Sequence, residues 1–207
     1  MDAKICGVSD LDTLNYIINH SNPPKFIGFI VNYTKSKRFI EFNILKKLIK
    51  LKKNKIKFVA VLVKPNNNIL EKIKNLNFDY YQLYDVNPNK TYLIKKKYKK
   101  KIISALTIEK KSDIEIYKKY EMISDIILFD SKGYEKSIGF NHQFLNSLPN
   151  TFTKMLAGNI RYNDKLDKYI KITDIIDISG SLETFGKKDI SKINIFLKNI
   201  SKIKNAN

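Results

Sequence analysis

The chain predicts an α/β fold of the (β/α)8 barrel type, and three observations carry that expectation. Eight short apolar runs, each of four to six residues, alternate with longer Lys-rich amphipathic segments from one end to the other. No Pro-, Gly- or Ser-rich linker interrupts them, and 207 residues suffice for one sizeable core, so a single domain over 1–207 is expected. Cys6, Asp130, Gly158 and Ser179 each fall at or just after the end of an apolar run. In a barrel such positions converge on one face, where active sites are built.

The first run, 3–6, ends on Cys6-Gly7, and Ser9 or Asp10 is placed to cap a helix in which Leu11, Leu14, Ile17 and Ile18 recur at helical spacing. Runs at 26–31, 58–63, 80–83, 101–106, 125–129, 152–156 and 175–178 supply seven further strands, with helical candidates between them. The last helix follows Asp189 and carries Ile190, Ile193, Ile195, Phe196 and Ile200. A doubly wound open sheet has the same alternation. No Gly-x-Gly-x-x-Gly run follows the first strand, which argues against its dinucleotide-binding version.

Composition is globular, with 43% hydrophobic and 12% aromatic residues. A net charge of +19 raises nucleic acid as a partner, yet all but two of the 39 basic residues are Lys. Arg, the bidentate reader of guanine and phosphate, occurs only at Arg38 and Arg161. Lys, Asn and Ile are inflated together, as AT-rich coding produces, so nucleic acid is not the expected partner and the Lys surface is read as a solvated face. Its positive field would still attract a small anionic substrate. One cysteine excludes an internal disulfide and a cysteine-based zinc site, and two histidines without an acidic ligand pattern argue against a metal. No signal region or membrane-length apolar run is visible, so a soluble cytoplasmic protein is expected.

Four features carry candidate chemistry. A lone Cys is either a small buried filler or a reactive thiol; Cys6 ends a strand before a turn and a helix start, where backbone N–H groups and positive charge would stabilise a thiolate. Asp130 is either a turn or capping residue or an acid, and the four apolar residues before it would raise its pKa by desolvation and keep a proton available. Two small-residue loops, Ala157-Gly158-Asn159 and Ser179-Gly180-Ser181, follow the seventh and eighth strands, where barrels commonly bind phosphate. Arg38, in the loop after the second strand, is either an exposed surface Arg or a partner for a substrate carboxylate.

Taken in order along almost the whole chain, these segments resemble the phosphoribosylanthranilate isomerases, single-domain TIM-barrel enzymes of tryptophan biosynthesis. Lys4-Ile5-Cys6-Gly7, Gly28-Phe29-Ile30, Ser36-Lys37-Arg38, Gln82-Leu83, Leu128-Phe129-Asp130-Ser131, Ala157-Gly158 and the stretch from Asp177 through Glu183 to Asp189 carry the resemblance. It implies a cofactor-free Amadori rearrangement of N-(5'-phosphoribosyl)anthranilate, a small anionic phosphosugar, in a monomer or homodimer. Asp130 would be the general acid and Cys6 the general base. Arg38 and Gln82 would hold the substrate, with Gly158, Asn159, Ser179, Gly180 and Ser181 at its phosphate. The sequence departs from the pattern where Tyr84 replaces a His, Asp85 and Asn159 replace Gly, Ser179-Gly180-Ser181 replaces Ser-Ser-Gly, and 133–139 replaces a Gly-rich stretch. A barrel that has lost catalysis and binds anions, or a related aminosugar-phosphate isomerase, are the alternatives.

Overall fold

In the computed structural model, which describes residues 1–133 and 139–205, eight parallel strands pair in sequence order and the eighth closes on the first. They are β1 (Asp2–Cys6), β2 (Phe26–Ile30), β3 (Lys57–Val63), β4 (Tyr80–Tyr84), β5 (Lys101–Ile108), β6 (Ile126–Ser131), β7 (Lys154–Leu156) and β8 (Ile175–Ile178). Closure excludes the open-sheet alternative. Helices α1 (Leu11–Ile18), α2 (Phe42–Leu48), α3 (Asn67–Ile73) and α4 (Pro88–Tyr98) fill the first four crossovers, and α5 (Ile190–Asn205) follows β8. Asp10 caps α1 by accepting the Thr13 N–H at 2.8 Å, and Asp189 accepts the N–H groups of Ser191 and Lys192 at the start of α5.

The expected helices after β5, β6 and β7 are 3-10 turns instead, at Lys111–Lys119, His142–Ser147 and Leu166–Tyr169. In a 3-10 turn residues i and i+3 eclipse, so one apolar pair can cover the sheet. Ile114 with Tyr117, and Leu166 with Tyr169, are buried in this way. Pro149 holds Leu148 extended and stops the middle turn. The largest boundary differences from the reading of the sequence are in the second half: β5 runs on to Ile108, β6 runs on to include Asp130 and Ser131, and β7 is only three residues long.

Strand alternation sorts the core into two clusters. Outward residues such as Ala3, Ile5, Ile27, Phe58, Leu62, Tyr81 and Phe129 pack under the helices in the larger cluster. Inward residues, including Phe26, Val59, Val61, Ile103, Leu128, Met155 and Ile175, fill the barrel in a smaller one that Cys6 joins. Helix α5 buries Ile193, Phe196, Leu197, Ile200 and Ile203 along one stripe. A Leu197→Ala cut there would cost about 2–5 kcal/mol.

Between β8 and α5 the chain makes a two-stranded hairpin, β9 (Glu183–Thr184) and β10 (Lys187–Lys188), whose register sets Glu183 opposite Lys188.

Candidate active site

The inward faces of β1, β4, β6 and β8 all end in polar groups at the strand C-termini, and there a cavity of about 460 Å³ opens. It is lined by Cys6, Arg38, Tyr84, Asp130 and Asp177, and by residues 157–161 and 179–181. Every sequence-predicted site residue except Gln82 is therefore brought to one cavity.

On β1, Lys4 and Cys6 are two apart and so share the inward face. Lys4 is wholly buried, donates from Nζ to Asp177 Oδ2 at 2.8 Å, and lies beside the Cys6 thiol. A Cβ added to Gly28 would lie 3.0 Å from Cys6 Sγ and 3.1 Å from Lys4 Nζ, so a glycine is what lets both groups meet over β2. Burial pushes the Cys6 thiol above its ordinary pKa, and the Lys4 ammonium pulls it back. Burial also disfavours the Lys4 charge, but Asp177 and Cys6 outweigh it and hold its pKa above the usual lysine value.

Among the described residues, the expected backbone N–H donors to the thiolate are absent. The N–H groups of Gly7 and Val8 both go to the Gly28 carbonyl, at 2.9 and 3.2 Å, and α1 begins only at Leu11. The counter-charge comes from beneath the sulfur, inside the barrel. Lys4 had no assigned role in the sequence reading, although a Lys two residues before a strand-end Cys on an inward face is a legible signal.

Across the cavity, Asp130 accepts the Tyr84 hydroxyl on Oδ2 and the Ser131 N–H on Oδ1, both at 2.8 Å. Desolvation raises its pKa to about 6, against the pull of those donors. Gln82, expected at the substrate, is fully buried one residue pair below the cavity, because position 82 lies two residues before the strand-end Tyr84 on the same face. Its Nε2 donates to Tyr84 Oη at 3.2 Å, so it supports the wall and does not line it.

Arg38 lines the cavity in a bidentate pair with Glu183: Nε to Oε1 at 2.5 Å and Nη2 to Oε2 at 2.8 Å. The pair leaves the Nη1 amino group outside it. Its stem crosses Gly7, whose φ of +73° suits glycine and where a Cβ would meet Arg38 Cδ at 2.4 Å. Lys188, almost wholly buried, bonds Glu183 Oε1 at 2.7 Å and the Ser179 carbonyl at 3.1 Å, and Ser179 Oγ donates to the Cys6 carbonyl at 3.0 Å. These bonds fasten the β8 loop to the end of β1. Glu183 and Lys188 were quoted from the sequence only as part of a segment; the hairpin register is what brings them together.

The loop after β7 turns through two left-handed residues, Gly158 at φ +88° and Asn159 at φ +53°. A Cβ at 158 would strike Ser131 Oγ at 2.4 Å, so β6 and β7 end in close contact only with glycine there. His142 donates Nε2–H to the Gly158 carbonyl at 2.9 Å, and burial lowers its pKa, which keeps it neutral for that role. In the β8 loop, Ser181 Oγ is buried without a hydrogen-bond partner among the described residues, which makes it a spare donor at the cavity wall. Arg161 also lines the cavity, so both arginines of this Lys-rich chain stand at one site. That scarcity was the signal for Arg161. Of the altered stretch after β6, 134–138 lie outside the described residues.

Residues 3–199 match the family model described as N-(5'phosphoribosyl)anthranilate (PRA) isomerase. The chain is 30% identical over 206 residues to the N-(5'-phosphoribosyl)anthranilate isomerase of Rhizobium etli, covering 94% of this chain and 91% of that one. It is also 30% identical over 206 residues to the isomerase of Thermoanaerobacter pseudethanolicus, covering 97% and 98%. Among solved structures, phosphoribosyl anthranilate isomerase from Thermotoga maritima superposes with a TM-score of 0.85 at 23% identity over 98% of this chain and 99% of that one. A phosphoribosyl anthranilate isomerase in complex with reduced 1-(o-carboxyphenylamino)-1-deoxyribulose 5-phosphate gives 0.83 at 22% identity, over 98% and 99%. On the match across residues 3–199, the chain belongs to the phosphoribosylanthranilate isomerase family.

Proposed function

We infer that this chain isomerises N-(5'-phosphoribosyl)anthranilate to 1-(2-carboxyphenylamino)-1-deoxyribulose 5-phosphate, with Asp130 as general acid and Cys6 as general base. The observation that carries the assignment is that one cavity holds both groups: a carboxyl whose pKa burial lifts to about 6, and a thiol with an ammonium beside it. Asp130 gives its proton to the ribose ring oxygen as the C1–O bond breaks and the nitrogen lone pair forms C1=N. The Cys6 thiolate then takes the C2 proton, and the C–H electron pair becomes the C1=C2 bond of an enolamine while nitrogen recovers its pair. Loss of the C2 hydroxyl proton and protonation of C1 give the ketone. The substrate's own iminium is the electron sink, so the steps balance without a cofactor.

Arg38 is assigned to the anthranilate carboxylate through the part of its guanidinium not paired with Glu183. Gly158, Asn159, Ser179, Gly180 and Ser181 are assigned to the phosphate, with Arg161 beside them; the spare Ser181 hydroxyl supports this. Gln82 acts on the substrate only through Tyr84. A monomer or a homodimer suffices, because every group named lies on one chain. A thiolate base needs a reducing compartment, which supports a cytoplasmic location. No helix among the described residues is long and apolar enough to cross a membrane.

The test is the decay of anthranilate-type fluorescence when the purified protein meets freshly generated phosphoribosylanthranilate. Cys6→Ala and Asp130→Ala are each expected to lower turnover by about 10²- to 10⁴-fold with the far-UV spectrum unchanged. Wild-type rates in both variants would overturn the residue assignment, and no decay above the spontaneous rate in the parent would overturn the function.

A further inference from the structure

We propose that Tyr84 is a positioning residue for the acid: a one-way hydrogen-bond chain from Gln82 through Tyr84 fixes which side of Asp130 holds the proton and stabilises the carboxylate it leaves. The proposal rests on Asp130 being the general acid. Three consecutive links carry it. Gln82 is fully buried, and its Nε2, which can only donate, points at Tyr84 Oη at 3.2 Å. With its oxygen accepting there, the single hydroxyl proton of Tyr84 goes to Asp130 Oδ2 at 2.8 Å. The other carboxyl oxygen takes the Ser131 N–H. Tyr84 therefore never competes for the Asp130 proton. That proton is kept off the β4 side of the carboxyl and left to the cavity, which both residues line.

Energetically, a donor to the carboxylate matters most after the proton has gone. Tyr84 then faces a full negative charge at a part-buried cavity wall, where a hydrogen bond is stronger than in open solvent. Tyr84 itself stays a phenol, because burial and the Asp130 charge push its pKa far above the usual value. Among the described residues, two charges across the barrel also act on Asp130. Asp177 on β8 raises its pKa and Lys4 on β1 lowers it, from across the barrel. Thr107, opposite Asp130 on β5, and Ala157, just beyond β7, carry no charge.

The sign of the effect on rate follows from the two proton-transfer groups. The working form has Cys6 ionised and Asp130 protonated, and burial sets Cys6 above its ordinary pKa while Asp130 stands near 6. With the acid titrating below the base, the working fraction is constant between the two pKa values and falls on either side. Asp130 therefore sets the acidic limb of kcat/KM, near pH 6.

Tyr84→Phe removes one oxygen from this chain. The expected result is that the acidic limb moves up by about one pH unit. The carboxyl resonance of Asp130, followed by carbon-13 NMR of Asp-labelled protein and assigned by its loss in Asp130→Asn, should titrate upward by the same amount. Because Tyr84→Phe orphans the Gln82 amide, the double variant Gln82→Met/Tyr84→Phe is measured alongside, and it should show the same shift with the fold restored. An Asp130 titration that stays put or moves down in both variants overturns the proposal. The NMR titration needs no turnover, so an inactive parent protein would sink the isomerase reading while leaving Tyr84 tested.

Discussion

The two sides of the cavity are tuned in opposite ways. The β1/β8 side is ionic: Lys4, Cys6 and Asp177 stand together beneath it, and Arg38, Glu183 and Lys188 brace it above. The β4/β6 side is neutral: Asp130 meets a phenol and a backbone N–H, and among the described residues no cation hydrogen-bonds it. Burial by itself raises the pKa of any acid, thiol or carboxyl. An ammonium in contact with Cys6 resists that rise, whereas neutral donors leave Asp130 largely subject to it. A base must lose its proton and an acid must keep one, and the contrast in partners moves each group that way: the ammonium limits how far burial lifts the thiol, and neutral donors leave the carboxyl raised to about 6.

The comparison breaks most severely if Lys4 is neutralised. Lys4→Met leaves Asp177 buried without a cation, which should cost about 3–5 kcal/mol of stability, read by urea unfolding. Turnover should fall by about a hundredfold or more, and the pH dependence of Cys6 alkylation should move up as the thiolate loses its counter-charge. The double variant Lys4→Met/Asp177→Asn removes both charges, so most of the stability should return while activity does not. Recovery of activity in the double variant would show that the ammonium serves the fold alone.

On the neutral side the stake is smaller and the sign is reversed. Asp130 binds its proton more tightly in the folded chain, with a pKa of about 6 against an ordinary 3.8. As pH rises from about 4 to 6 the folded state holds more protons than the unfolded one, so stability is lost through that window. Asp130→Asn has no such ionisation. Its stability at pH 7 is expected to exceed that of the parent by about 1–2 kcal/mol, with little difference at pH 4. Equal denaturation midpoints at pH 7 would show that Asp130 is not desolvated as described.

The smallest effects concern binding and should leave the proton transfers in place. Glu183→Gln loosens the bidentate hold on Arg38, and KM is expected to rise about tenfold, equivalent to about 1.4 kcal/mol, with kcat nearly unchanged. Arg161→Met should raise KM a few-fold in the same assay, more at high salt than at low, where the remaining lysine field still draws the substrate in. A fall in kcat without a change in KM would place either residue nearer the chemistry than the cavity wall.

Strand positions were readable because apolar runs of this length, separated by amphipathic segments, have few other solutions, and eight of them suggested a barrel that only the pairing of β8 with β1 settles. The α1 and α5 caps were readable for the same local reason. The second-half crossovers were not: Ile114/Tyr117 and Leu166/Tyr169 fit an α-helix or a 3-10 turn equally well, and only the space over β5 to β8 decides between them. Cys6, Asp130, Arg38 and the two late loops were legible because each stands at a strand end or in the loop beyond it. Gln82 was misplaced by one residue pair, since sequence gives the face of a strand but not the depth at which the cavity floor lies.

What the sequence determined by itself is the set of inward positions: period-two alternation puts Lys4 with Cys6, Gln82 with Tyr84, and Asp130 at the end of β6, whatever the barrel does later. What only the tertiary structure decided is which of these groups meet. Lys4 contacts Asp177 because β8 closes on β1, Tyr84 reaches Asp130 because β4 and β6 flank β5 and end on the same side of the barrel mouth, and Arg38 finds Glu183 because a hairpin folds back over the β8 loop. Such pairings depend on closure of the sheet, a long-range event that no local pattern encodes, and closure sets the distances on which the proton affinities depend.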